Sequence, residues 1–319
     1  MSKTNFHILL MFGIVILLMG RCSVFIQENI EEETIILFAP SDDMETEIVT
    51  QTFWWEQIFG AEGYRLQIVT PEFNNIESLL LDTLVSGDKF EMTLYPGIYE
   101  WRVRGENNAY VTAWSKTSLS IFESDDLTRQ SVRLRMPTDS HFTNNSLSVF
   151  KWDTIPNVES YEMEVYIENW GEVLYRDSTG IVEDNIVYTL PEAMFWWGVR
   201  ALNNKSATLF STRRLVIDKT APVKPTLGLP SNNSIMNDST VNFSWNSSDP
   251  RWEVVYDSLL IYEKRDNGKL IKIHEDLFTV KSAKLTLKND TKYTWKVKSI
   301  DQAGNEGVLS EERNFTIEE

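Results

Sequence analysis

Residues 94–104 read Leu94-Tyr95-Pro96-Gly97-Ile98-Tyr99-Glu100-Trp101-Arg102-Val103-Arg104. Pro96-Gly97 supplies a turn. After it, Tyr99, Trp101 and Val103 recur at every second position with charged residues between them. A period of two is that of a β-strand with one buried face. The aromatic-x-Trp-x-Val string returns as Phe195-Trp196-Trp197-Gly198-Val199 and as Tyr293-Thr294-Trp295-Lys296-Val297. Upstream of each copy lies an F-x-W string: Phe53-Trp54-Trp55, Phe150-Lys151-Trp152 and Phe243-Ser244-Trp245. Successive F-x-W tryptophans are 97 and 93 residues apart, and the two tryptophans within a copy are 46, 45 and 50 apart. A serine follows the valine by 12, 12 and 13 residues, as Ser115, Ser211 and Ser310. Landmarks held in register three times define a tandem repeat.

Other segments alternate in the same way, among them Tyr64 to Ile68 and Tyr161 to Val165. In the third copy Tyr256 to Ile261 is the expected counterpart, displaced by an insertion around Ser247 to Pro250. The intervening stretches are rich in Asn, Asp, Gly, Pro and Ser, and no long amphipathic helical pattern occurs. The expected fold is therefore all-β: three tandem antiparallel β-sandwiches over residues 35–124, 130–218 and 222–319, each near the ~100 residues of an immunoglobulin-like unit. The joining segments are Ser124 to Arg129 and Asp218-Lys219-Thr220-Ala221-Pro222-Val223-Lys224-Pro225. Two prolines stiffen the second joint. With strands of about ten residues at ~3.3 Å each, three units in line would project roughly 100 Å.

The strings F-x-W, Y-x-L-x-I and L-x-P-G-x-Y-x-W-x-V-R resemble the fibronectin type III or related immunoglobulin-like modules of bacterial surface proteins. The resemblance covers about residues 35–319. It implies a tryptophan in strand B and an aromatic strand F. A leucine preceding the strand-F tyrosine is matched by Leu287 before Tyr293, and by Leu94 one residue closer to Tyr99. Phe195 stands in the tyrosine's place in the second unit and has no hydroxyl to close a tyrosine corner. The resemblance also makes Asp301-Gln302-Ala303-Gly304-Asn305-Glu306 a turn between strands F and G. Such modules host many roles, so the fold does not name the function.

Residues 1–21 form a secretory signal peptide pattern: Lys3, then the uncharged run Ile8 to Gly20, then Arg21. The run is shorter than the ~20 residues of a bilayer span. Cys22, the single cysteine, resembles the lipidated cysteine of a bacterial lipobox, although Arg21 stands where such motifs carry Gly, Ala or Ser. The expectation is a lipid anchor at Cys22, an acidic tether over residues 22–34 (including Gln27 to Glu33), and an outer-membrane lipoprotein. Cleavage after residue 21 would remove Lys3 and Arg21 and take the formal charge from −17 to −19.

A pI near 4.7 argues against recognition of nucleic-acid backbones. One cysteine excludes an internal disulfide. His141 and His274 lie 133 residues apart with no nucleophile–base or metal-ligand spacing, and residues 301–306 are not an EF-hand loop. No enzyme, cofactor or metal site is expected. Six tryptophans belong to the repeated core pattern. Trp114 begins strand G, where Phe210 and Leu309 are its counterparts, and is assigned a structural place. Trp54 and Trp196 alternate with core positions and so should point outward, and Trp170 and Trp252 fall in loops. These four are the candidate ligand-binding residues, since exposed tryptophans stack on sugars and anchor protein contacts. The expected function is a non-catalytic, lipid-anchored spacer, adhesion or protein-interaction module. The alternative is a surface glycan-binding lipoprotein of a polysaccharide-uptake system, which requires those tryptophans to form a flat, exposed platform.

Overall fold

The computed structural model of the chain describes residues 27–251 and 255–318, where regular structure consists of 24 strands. The leader, Cys22 and Trp252 lie outside the described residues. The first unit holds β1 (Leu37–Ala39), β2 (Met44–Thr46), β3 (Thr50–Trp55), β4 (Gly63–Glu72), β5 (Asn75–Val85), β6 (Lys89–Thr93), β7 (Gly97–Glu106) and β8 (Ser115–Ile121). The second holds β9 (Leu134–Met136), β10 (His141–Thr143), β11 (Leu147–Trp152), β12 (Ser160–Ile167), β13 (Val173–Ile181), β14 (Asn185–Thr189), β15 (Ala193–Leu202) and β16 (Ser211–Ile217). The third holds β17 (Thr226–Leu227), β18 (Ser234–Met236), β19 (Thr240–Asn246), β20 (Val255–Lys264), β21 (Leu270–Phe278), β22 (Ser282–Thr286), β23 (Thr291–Asp301) and β24 (Arg313–Ile317).

Each unit is a sandwich of a three-stranded and a five-stranded sheet. The orders are β1-β3-β6 with β2-β8-β7-β4-β5, then β9-β11-β14 with β10-β16-β15-β12-β13, then β17-β19-β22 with β18-β24-β23-β20-β21. Pairing is antiparallel except for one short parallel ladder per unit: β2 on β8, β10 on β16, β18 on β24. This departs from the purely antiparallel expectation because the opening segment of each unit serves both sheets. Pro40, Pro137 and Pro230 lie between its two halves, each 15 residues before the F-x-W tryptophan. Proline has no N–H to continue a ladder. Three residues beyond it, Asp43, Ser140 and Asn233 have positive φ, and the chain crosses to the other sheet. This fifth landmark is present in the sequence but looks like ordinary turn composition.

Period two delivers the core. Phe53, Trp55, Trp101 and Val103 in the first unit are fully buried, as are Phe150, Trp152, Trp197 and Val199 in the second. Across each sandwich the F-x-W phenylalanine meets the strand-F tryptophan edge to face. The centroid distances are 5.2 Å for Phe53–Trp101, 4.9 Å for Phe150–Trp197 and 5.2 Å for Phe243–Trp295. Tyr99 donates to the Tyr95 carbonyl at 2.5 Å and Tyr293 to the Lys288 carbonyl at 3.1 Å; Phe195 cannot.

The third unit differs at one core position. Opposite Gly105 and Ala201, the first two units place Tyr64 and Tyr161, beside Trp55 and Trp152. The equivalent residue opposite Ser299 is Asp257, not Tyr256. Asp257 is 1% exposed, and its carboxyl accepts from Trp245 Nε1 at 2.7 Å, Ser247 Oγ at 2.6 Å and Ser299 Oγ at 2.6 Å. A buried acceptor demands donors, and the third unit supplies three where the others supply an aromatic ring.

Candidate functional site

The described candidate tryptophans do not converge. Trp54 lies on the outer face of β3, 38% exposed, beside the half-exposed Phe38 at 4.8 Å and an interplanar angle of 59°. The Lys89 ammonium sits 4.4 Å from its ring centroid. Trp196 is on the outer face of β15 in the next unit, half-buried, paired across the ladders with Tyr166 and Arg214. Trp170 follows β12 but does not stand clear as a loop tryptophan. It folds back over Gly198, where an added Cβ would come within 2.6 Å of its ring. Tyr166 and Phe210 meet it edge to face at 4.8 and 5.3 Å. Tilted, edge-contacted rings on two different units do not make the flat platform that sugar stacking needs.

Gly198 explains Trp170. In the first unit the same position is Arg102, whose guanidinium lies between Phe73 at 4.0 Å and Trp114 at 4.2 Å, with Arg104 also on Trp114 at 4.6 Å. In the second unit the position has no side chain, and the Trp170 ring fills the space. Phe210 takes Trp114's place, with Arg200 over it at 4.9 Å. These stacks are structural supports of the strand-F and strand-G face, consistent with the structural place expected for Trp114.

The entry to each unit shows a second repeated arrangement, built from the residue six after each strand-F tryptophan. Asn107 donates from Nδ2 to the Glu28 and Gly60 carbonyls, both at 2.9 Å. Its Oδ1 accepts from the Ala109 and Tyr110 amides. Asn203 repeats this with the Asp125 carbonyl at 2.8 Å, the Asn157 carbonyl at 3.0 Å, and the Lys205 and Ser206 amides. Each asparagine thus ties the segment entering its unit to two loops of that unit. The acidic stretch before the first unit is accordingly not a free tether from Gln27 onward: Ile30 is fully buried, and Glu28 is held by Asn107.

Between the first and second units, Gln130 is 8% exposed; its Oε1 accepts from the Val49 amide at 3.0 Å and its Nε2 donates to the Glu47 carbonyl at 2.7 Å. Leu127 and Val132 belong, with the cores of the first two units, to one apolar cluster, while the third unit has its own.

The entry to the third unit departs from the pattern. The residue equivalent to Asn107 and Asn203 is Asp301, which has no donor to give. The F–G turn is one residue longer there, and Asn305 takes over, donating from Nδ2 to the Asp218 carbonyl at 2.9 Å and to Asp301 Oδ2 at 2.8 Å. The expected turn over residues 301–306 is present: the Gly304 amide donates to the Asp301 carbonyl at 3.2 Å, with Gly304 at φ 87°. Carboxylate oxygens of Asp218, Asp249 and Asp301 lie within 4.8 Å of one another. Burial pushes the Asp218 carboxyl up to about 6, and the charges of Asp301 and Asp249 act in the same direction. Glu192 borders this joint, accepting from Thr220 Oγ1 at 2.6 Å and facing Arg251 at 3.4 Å. His141 and His274 fall on different units, in β10 and β21.

No family model matches the sequence, and no curated protein matches it. Among solved structures the chain is similar to the chicken CNTN1 FN1-FN3 domains, at 17% identity and TM-score 0.44, over 90% of this chain and 98% of that one. It is also similar to Clostridium thermocellum CbhA fibronectin(III)-like modules, at 12% identity and TM-score 0.37, over 59% and 94%. The class, an all-β tandem of three sandwiches, rests on the strand orders given above.

Proposed function

We propose that the chain is a non-catalytic spacer and protein-interaction module of the bacterial envelope, carried on a lipid at Cys22. The observation that supports the spacer role is the repeated joint. Strand pairing stays within single units, and at each entry a side chain six residues past the strand-F tryptophan, or its stand-in Asn305, fixes the incoming segment. Units held end to end keep their outer faces free and give reach at small cost in core.

The interaction role is supported by the sheet edges. In every unit the outermost strand of the five-stranded sheet carries exposed apolar side chains: Leu79 and Leu84 on β5, Val173 and Leu174 on β13, Ile273 and Leu277 on β21. An edge with apolar side chains is a surface on which another protein chain can add. The lipid anchor follows from the leader and Cys22. Mass spectrometry of the mature N-terminus tests it: the expected product begins at Cys22 with acyl chains, and an unmodified terminus elsewhere refutes it.

A further inference from the structure

We infer that Asp218, Asp249 and Asp301 form a divalent-cation site, of the calcium type, clamping the joint between the second and third units. Asp218 ends the second unit, just after β16; Asp249 lies between β19 and β20, and Asp301 closes β23. Asp249 and Asp301 belong to the third unit, and Asp218 reaches them across the joint.

Three observations carry the assignment. The first is geometric. Ligand oxygens sit about 2.4 Å from calcium, so two on opposite sides of one ion stand about 4.8 Å apart. The three carboxylates fall within that span. The second is an orphan. Asp218 is fully buried; its Oδ1 accepts from the Thr220 amide at 3.0 Å, but its Oδ2 has no hydrogen-bond donor. A buried carboxylate oxygen without a donor is costly, and a cation at the cluster supplies what the protein does not. The third is the comparison among the entries to the units. The position held by Asn107 and Asn203 is here Asp301, 3% exposed; Asn305 supplies the amide instead and donates to both Asp301 oxygens, and a second and a third carboxylate gather beside it. Arg251 of the same joint is engaged by Glu192. Gathering three acids at one largely buried place is unfavourable unless a positive charge joins them.

The donor set selects the ion. All three ligands are carboxylate oxygens, with no imidazole or thiolate, which suits a hard cation rather than zinc or copper. Extracellular calcium modules bind with Kd of about 10⁻⁴–10⁻³ M. The site does not depend on what the chain binds elsewhere.

The test is calorimetric titration of calcium chloride into the full chain stripped with chelator, beside Asp301→Asn and Asp218→Asn. Asp301→Asn installs the residue that the entries to the first two units already carry. The expected result is one saturable site per chain, weakened at least tenfold in either variant, with a calcium-dependent rise in thermal midpoint that the variants lose. Circular dichroism checks that each variant is folded; if one is not, the other decides, and Asp249→Asn stands in reserve. Absence of saturable binding at millimolar calcium overturns the assignment. So does binding that folded variants retain at full strength, which would place the ion elsewhere on this acidic surface.

Discussion

Asp257→Ala should destabilise the third unit selectively. The carboxyl of Asp257 receives three hydrogen bonds, from Trp245 Nε1, Ser247 Oγ and Ser299 Oγ, in surroundings almost closed to water. A typical hydrogen bond nets about 0.5–1.5 kcal/mol, so three together are worth about 2–4 kcal/mol. The serine hydroxyls can rotate toward other acceptors and recover part. The Trp245 indole is fixed by packing and cannot. The expected loss is about 3 kcal/mol, a large share of the ~5–15 kcal/mol that holds a domain. In urea, with a slope of about 1–1.5 kcal/mol/M for a unit of this size, the midpoint should fall by about 2–3 M. The assay is urea unfolding of the full chain followed by tryptophan fluorescence, in which the third unit's transition should separate to lower urea and the others stay put. Asp257→Asn keeps the shape and one acceptor oxygen, so its loss should be smaller. A shift below about 0.5 kcal/mol for Asp257→Ala would show that the three donors do not depend on the carboxyl.

Further outcomes follow from the same geometry. Gly198→Ala puts a Cβ within 2.6 Å of Trp170 and 3.0 Å of the Ser211 carbonyl, so the indole should be displaced, with a red-shifted emission and a cost of about 1–3 kcal/mol read by unfolding. Tyr99→Phe removes the bond to the Tyr95 carbonyl and should cost the first unit about 1 kcal/mol; an unchanged urea midpoint would deny the corner a stabilising part. Asn203→Ala deletes two donated and three accepted bonds at the entry to the second unit, leaving groups that water can partly satisfy. The expected loss is about 2 kcal/mol, with faster proteolysis in residues 124–129, and protection equal to that of the parent chain would contradict the clamp.

What the sequence disclosed, and what it hid, divides along the range of the interaction. Phe53-x-Trp55 and Tyr99-x-Trp101-x-Val103 are legible because strand period is a local property and three copies confirm one another. Trp54 and Trp196 lie outward for the same reason. The third-unit register slipped because Tyr256 imitates the tyrosine of the other units, while the buried place is taken by Asp257, whose donors Trp245 and Ser299 lie on other strands. Trp170 looked like a free loop residue. Its signal was a glycine, Gly198, at a place where the other units carry Arg102 and Lys296, and a missing side chain is informative only once the facing residue is known. The convergence of Asp218, Asp249 and Asp301 is a property of the joint between two units, and spacings of 31 and 52 residues in the chain carry no motif.

Small-angle X-ray scattering of the full chain tests the central claim, that three sandwiches are held end to end as a spacer. Three units of roughly 35 Å in line give a rod of about 105 Å and a radius of gyration of about 30 Å or more. A compact chain of 319 residues would show about 20 Å. The first value is expected; the second would mean that the units fold back on one another, and the spacer would be refuted.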